Sequence, residues 1–194
     1  MAATIPAMNP APNLVLVGPM GAGKSSIGKR LAGRFGLQFV DADRDIEVRT
    51  GATIPTIFEC EGEAGFRARE SAALADLLLR EGLVIATGGG AVLDAGSRQR
   101  MRERGFVVYL QVSLERQLDR LARDRSRPLI AGDDREQVLR RLADERAPLY
   151  AGVADLCFDT DLLFPPQAAT QLARQLQARW RRGPLENFQE SSTA

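Results

Sequence analysis

The stretch Gly18-Pro19-Met20-Gly21-Ala22-Gly23-Lys24-Ser25 fits the pattern GxxxxGK[ST]. It follows the apolar run Leu14 to Val17 and opens a segment, Lys24 to Phe35, whose Ile27, Leu31 and Phe35 recur at a spacing of four before Gly36. Between a buried strand and a helix, such a loop curls so that successive backbone N–H groups and the helix N-terminus face one anion. Lys24 then reaches the β- and γ-phosphates of a nucleotide, and the Ser25 hydroxyl reaches Mg²⁺. A glycine-rich turn that matches by chance would not require both the strand before it and the helix after it.

The rest of the chain repeats this alternation. Short apolar runs suited to buried strands occur at Phe39 to Val40, Leu83 to Ala86, Val107 to Leu110 and Leu156 to Phe158. Between them lie segments of helical periodicity: Asp43 to Thr50, Glu63 to Arg80, Ser97 to Arg104, Leu114 to Arg123 behind a Ser113 cap, and Gln137 to Glu145 ahead of Pro148. A last helix is expected over Gln167 to Trp180. The reading is α/β: a three-layer P-loop fold with a five-stranded parallel sheet flanked by helices. One domain is expected over 14–182, with a flexible leader at 1–13, a flexible tail at 183–194 and a mobile lid at about 123–134, where Pro128 and Gly132 sit among charges.

Composition narrows the chemistry. The 194 residues contain no histidine, which removes Ser-His-Asp and Cys-His hydrolysis and most His-ligated zinc sites. Cys60 and Cys157 are far apart and form no CxxC pair, so a disulfide framework is not indicated and a reducing cytoplasm fits. Lys and Arg total 26 against 25 Asp and Glu, so no bulk field draws the chain to nucleic acid or to anionic lipid. The N-terminal residues lack the charged start and apolar core of a signal peptide, and no apolar stretch is long enough to span a membrane. Only two of the 26 basic residues are lysines, so Lys24 is more informative than any single arginine.

A phosphate loop alone leaves GTPases, ATPases and kinases of many acceptors open. At the end of the second strand stands Val40-Asp41-Ala42-Asp43, where α/β sheets bind ligands. Strand alternation points Asp41 and Asp43 the same way, one toward the metal and one toward a hydroxyl, the alternative being two solvated aspartates that cap the next helix.

The P-loop, the Asp41/Asp43 pair, Gly65-Phe66-Arg67 with Glu70, Gly88-Gly89-Gly90, Arg127-Pro128-Leu129 and Arg146-Ala147-Pro148-Leu149-Tyr150 occur in this order, and over residues 13–180 the chain closely resembles shikimate kinase. The resemblance implies a fold akin to nucleoside monophosphate kinases and a reaction of MgATP with shikimate giving ADP and shikimate 3-phosphate. It implies ATP contacts at Gly21, Ala22, Gly23, Lys24, Ser25, Ser26 and Arg127, with Arg120 and Pro165 lining the adenine. One Mg²⁺ is expected at Ser25 and Asp41. For shikimate, it implies that Asp43 orients the hydroxyls and accepts the proton. Arg67 and Arg146 hold the carboxylate, helped by backbone N–H groups of Gly88, Gly89 and Gly90. Glu70, a helical turn after Arg67, can fix that guanidinium. Lys24, Asp43 and Arg127 form the catalytic set, and a monomer in the cytoplasm is expected.

Ala64 and Gly65 depart from the larger polar residues common in the family at those positions. Trp180 and Tyr150 are too isolated for a nucleobase-stacking surface and are expected to pack structurally. A different small-molecule kinase and a non-catalytic nucleotide-binding module remain the alternatives at this point.

Overall fold

The computed structural model describes residues 9–122 and 134–181. Strand β1 (Asn9–Pro10) leads to β2 (Asn13–Val17), whose five residues are all buried. Its side chains alternate between two cores. Leu14 and Leu16 pack on one face of the sheet, and Val15 and Val17 on the other. A central strand buried on both faces must be apolar throughout, which is why 14–17 shows no polar alternation.

The phosphate loop follows, then α1 (Lys24–Phe35), β3 (Gln38–Asp41), α2 (Ala42–Thr50), α3 (Ile54–Leu79), β4 (Leu83–Ala86), α4 (Ala95–Arg104) and β5 (Gly105–Gln111). The chain continues through α5 (Leu114–Leu121), α6 (Arg135–Val153), β6 (Leu156–Asp159), α7 (Pro165–Arg179) and β7 (Trp180–Arg181). Five of the strands form one parallel sheet in the order β3-β4-β2-β5-β6. Helices α1 and α7 cover the Leu14/Leu16 face, and α3, α4 and α6 the Val15/Val17 face. This is the expected three-layer architecture. The chain reverses direction across the sheet between β4 and β5 on either side of β2, so the crevice lies at the carboxyl ends of β2, β3 and β4.

Four sequence expectations change. The stretch expected as a leader to residue 13 contains structure: Asn9–Pro10 pairs in parallel with Trp180–Arg181, Ala11 is buried, and the buried Asn13 amide bonds Arg80 O at 2.7 Å and Leu83 N at 3.0 Å. Helix α3 starts at Ile54, not Glu63, because Thr53 caps it and Gly62, at φ 69°, lets the chain turn sharply without ending the helical run. A side chain at Gly65 would collide with Glu61, so the small residue there belongs to that turn. Helix α6 does not stop before Pro148. It runs to Val153, with only the Asp144 carbonyl losing its usual donor to the proline. Finally, Asp43 is not a strand residue. It lies in the first turn of α2, which Asp41 caps by accepting from Arg44 N at 3.3 Å. The lid expected at 123–134 lies outside the described residues, Asp134 apart, and so does Arg127.

Candidate active site

Two cavities open at the carboxyl edge of the sheet. One, about 540 Å³, is lined by Gly21, Ala22, Gly23, Lys24, Ser25 and Ser26, with Arg120 and Pro165 opposite. The other, about 490 Å³, is lined by Met20, Asp41, Asp43, Arg67, Glu70, Gly88, Gly89, Gly90 and Arg146, with apolar walls from Ile54, Pro55, Phe58 and Phe66. Every described residue proposed from sequence therefore lines one cavity or the other.

The cavities meet at a short hydrogen bond. Ser25 Oγ, on the first, donates to Asp41 Oδ2, on the second, at 2.5 Å. Asp41 is thus both a helix cap and the partner of the phosphate-loop hydroxyl, so capping α2 does not take it away from the phosphate loop. Two hard oxygens at the junction suit Mg²⁺, which takes few protein ligands and fills its octahedron with phosphate oxygens and water. Among the described residues no cluster of three or more Asp, Glu, Cys or His could hold a metal without such help. Lys24 Nζ donates to the carbonyls of Gly18 (2.7 Å) and Pro19 (2.8 Å), which keeps the ammonium on the loop.

In the second cavity the charges are arranged in layers. Arg67 donates from Nη1 to Glu70 Oε2 and from Nη2 to Glu63 Oε1, and its guanidinium lies 5.2 Å from the Phe66 ring centroid. Glu70 is only 4% exposed, and its Oε1 has no hydrogen-bond partner. Burial pushes the Glu70 carboxyl above the usual carboxylate range. Arg67 pulls it back, Asp43 pushes it further and Arg146 opposes that. For Arg67, burial works against the cation but Glu70 and Glu63 outweigh it, so the guanidinium stays charged.

Arg146 is 5% exposed on α6, and its Nε is buried without a hydrogen-bond partner. Arg146 nonetheless lines the cavity, with Nη1 the atom nearest Gly89, and a cation so far removed from water is stabilised by an anion beside it. The triple glycine makes room for this arrangement. A Cβ on Gly90 would strike the Arg67 guanidinium, and one on Gly88 would strike Glu70 Oε1 and lie 2.6 Å from Asp43 Oδ1. Tyr150, a turn beyond Arg146, donates its buried hydroxyl to Gly89 O.

Sequence reasoning missed three participants. Glu63 stands four residues before Arg67, a spacing that could have revealed it. Phe58 sits on the helical turns before Gly62, which were not anticipated. Tyr150 was assigned to packing, and it does pack, its ring centroid 5.1 Å from that of Tyr109, but it also holds the glycine loop. Arg120 lines the nucleotide cavity as expected, yet its guanidinium is engaged by Gly21 O (3.0 Å), Thr160 Oγ1 (3.2 Å) and Thr160 O (2.6 Å). Trp180 is a core residue, edge-on to Phe35 at 5.8 Å.

The family model for shikimate kinase matches residues 20–177. The chain belongs to the shikimate kinase family. A shikimate kinase of Xanthomonas campestris is 61% identical over 174 residues, covering 90% of this chain and 97% of that protein. One from Stenotrophomonas maltophilia is 56% identical over 178 residues, covering 92% and 99%. Among solved structures, a shikimate kinase from Acinetobacter baumannii in complex with shikimate superposes with a TM-score of 0.80 at 48% identity, covering 87% of this chain and 92% of that one. The ATP-dependent transferase activity and the doubly covered parallel sheet expected from the residues stand with membership in the shikimate kinase family. Among the described residues, no helix is long and apolar enough to cross a membrane.

Proposed function

We propose that the larger cavity holds MgATP and the smaller one shikimate, and that the chain transfers the γ-phosphoryl group to the 3-hydroxyl, giving ADP and shikimate 3-phosphate. The observation that carries this reading is the buried Arg146 lining the same cavity as Arg67 and the 88–90 glycines, one hydrogen bond away from the phosphate loop. Two guanidinium groups in a partly apolar cavity suit a compact ring acid, and a relative in this family has been solved with shikimate bound.

Backbone N–H groups from Gly21 to Ser26 and the N-terminus of α1 cradle the phosphates, with Lys24 leaving its loop carbonyls for the β- and γ-oxygens. When bound at Ser25 and Asp41, Mg²⁺ supplies charge neutralisation across the phosphate oxygens. Arg120 and Pro165 flank the adenine. Asp43, beside Gly88, orients the attacking hydroxyl and takes its proton late. An ordinary carboxylate suffices because positioning and charge dominate a loose phosphoryl transfer. Arg127 is assigned to the transferring phosphate, supported by its segment joining α5, which carries Arg120, to α6, which carries Arg146. Both cavities are lined by a single chain, so a monomer is competent, and free Cys60 and Cys157 fit a reducing cytoplasm.

The test is an ADP-release assay with a panel of acceptors, including shikimate, gluconate and nucleoside monophosphates, with and without Mg²⁺. Shikimate alone should support Mg²⁺-dependent release. Equal turnover of a sugar acid or a nucleotide would overturn the acceptor assignment, and nucleotide binding without turnover of any acceptor would overturn the catalytic one.

A further inference from the structure

The geometry points to Gln117 as a positioning residue that orients the Met20–Gly21 peptide of the phosphate loop. Gln117 is 3% exposed on α5, and its Nε2 donates to Met20 O at 2.8 Å, a link between residues 97 apart in the chain. One turn later Arg120 Nη1 donates to Gly21 O at 3.0 Å, so two successive loop carbonyls are held from α5. The contact is packed as well as bonded. Met20 shares a buried cluster with Leu121 and Leu139, and a Cβ on Gly21 would lie 3.5 Å from Gln117 Cγ and 3.4 Å from Leu121 Cγ.

The consequence follows from peptide geometry. No peptide bond among the described residues is cis, and a planar trans peptide points its C=O and N–H in opposite directions. Holding the Met20 carbonyl against Gln117 therefore turns the Gly21 N–H away from that buried amide, which lies outside the lining of the nucleotide cavity, while Gly21 is part of that lining. Gly21 has φ 81°, so this peptide plane has glycine's freedom and does not fix its own orientation. The buried amide supplies what the backbone lacks. Gln117 touches no substrate in this role. It acts through the Met20–Gly21 peptide, and its effect belongs to phosphate binding rather than to base or acceptor binding.

The inference rests on the larger cavity being the nucleotide site, and the experiment separates the two. Competitive inhibition constants against ATP are measured for ADP and for adenosine in wild type and in Gln117→Met, which keeps the volume and removes the donor. Thermal unfolding and the KM for shikimate are the controls. In wild type ADP should inhibit far better than adenosine; if the two are equal, the cavity does not read phosphate and the nucleotide assignment fails first. In Gln117→Met the ADP constant should rise by about tenfold, the value of one well-made hydrogen bond, while adenosine and the KM for shikimate stay within about twofold. A parallel loss for ADP and adenosine, or no loss for either, overturns the positioning role. If Gln117→Met does not fold, Gln117→Glu keeps the side-chain shape, presents an acceptor to the carbonyl and carries the same comparison.

Discussion

Arg67 donates from Nη1 to Oε2 of Glu70 at 2.6 Å, one helical turn further along α3. Its other edge, Nε and Nη2, faces Glu63 Oε1 at 3.3 and 3.0 Å. The two partners differ in exposure, 4% for the Glu70 side chain against 52% for Glu63, so they differ in how readily each gives way to a substrate carboxylate. Glu70 holds the guanidinium from within the cavity wall, and Glu63 holds its other edge from outside the cavity lining.

This asymmetry predicts unequal effects from two similar substitutions. Glu63→Gln removes a solvent-exposed partner worth a few tenths of a kcal/mol, so the KM for shikimate should stay within about twofold. Glu70→Gln leaves Arg67 without its buried anchor, and the KM should rise severalfold. Steady-state kinetics on both variants distinguish this from a symmetric clamp, in which the two would move together.

A second prediction concerns pH. Folding holds the Glu70 carboxyl above its usual range, chiefly through burial, so the neutral form is favoured in the folded chain. The stability that this contributes is complete below the unfolded value of about 4.3 and is lost as pH rises through the folded one. Glu70→Gln cannot titrate there. The stability of this variant relative to wild type should therefore increase from pH 4 to pH 7.5 in urea unfolding, and a flat difference would count against the raised carboxyl.

Third, the carboxylate contact can be broken from either side. Each charge-assisted bond to a partly buried carboxylate is worth on the order of 1.5 to 3 kcal/mol, so Arg67→Ala or Arg146→Ala should lower kcat/KM by at least about tenfold. Shikimate methyl ester keeps the ring hydroxyls and loses the charge. Wild type should discriminate strongly against it, and Arg67→Ala less so, because the two losses share one interaction. Fully additive penalties would mean that Arg67 reads something else.

Fourth, Asp43→Asn should retain MgATP binding while kcat drops at least about tenfold, since an amide can hold a hydroxyl but cannot accept its proton. A kcat within about a factor of two of wild type would remove Asp43 from the proton path.

Fifth, burial pushes the Tyr150 phenol well above its ordinary value, so it remains a neutral donor to Gly89 O throughout the working pH range. Tyr150→Phe should cost about 1 kcal/mol of stability and raise the KM for shikimate more than it changes kcat, because it loosens the glycine loop rather than the phosphates. An unaltered KM would confine Tyr150 to packing.

The sheet, α1 and the phosphate loop were legible because each is encoded locally: an apolar run for a strand buried on both faces, a four-residue stripe for a helix, glycines for the loop. The errors came where tertiary packing overrode a local stop. Pro148 reads as a helix end, yet α6 passes through it and so sets Arg146 and Tyr150 one turn apart on a single rigid element. Gly62 reads as a break, yet it redirects α3 and swings Phe58 toward Phe66, with ring centroids at 4.8 Å. The buried Gln117 carried no sequence signal, because its partner is a backbone carbonyl 97 residues away and a carbonyl has no residue type.

The pairing of β1 with β7 has a consequence for biosynthesis. Every side chain assigned to either cavity has been translated by residue 165, yet Trp180, which packs on Phe35 and Phe106 and donates to Ala11 O at 2.9 Å, comes later. A product released from the ribosome just short of it would carry the full chemical outfit and still leave the base of the central strand unsealed. Trp180 thus ties the stability of the fold to a segment that lines neither cavity, so its loss should be read in unfolding and not in the chemistry.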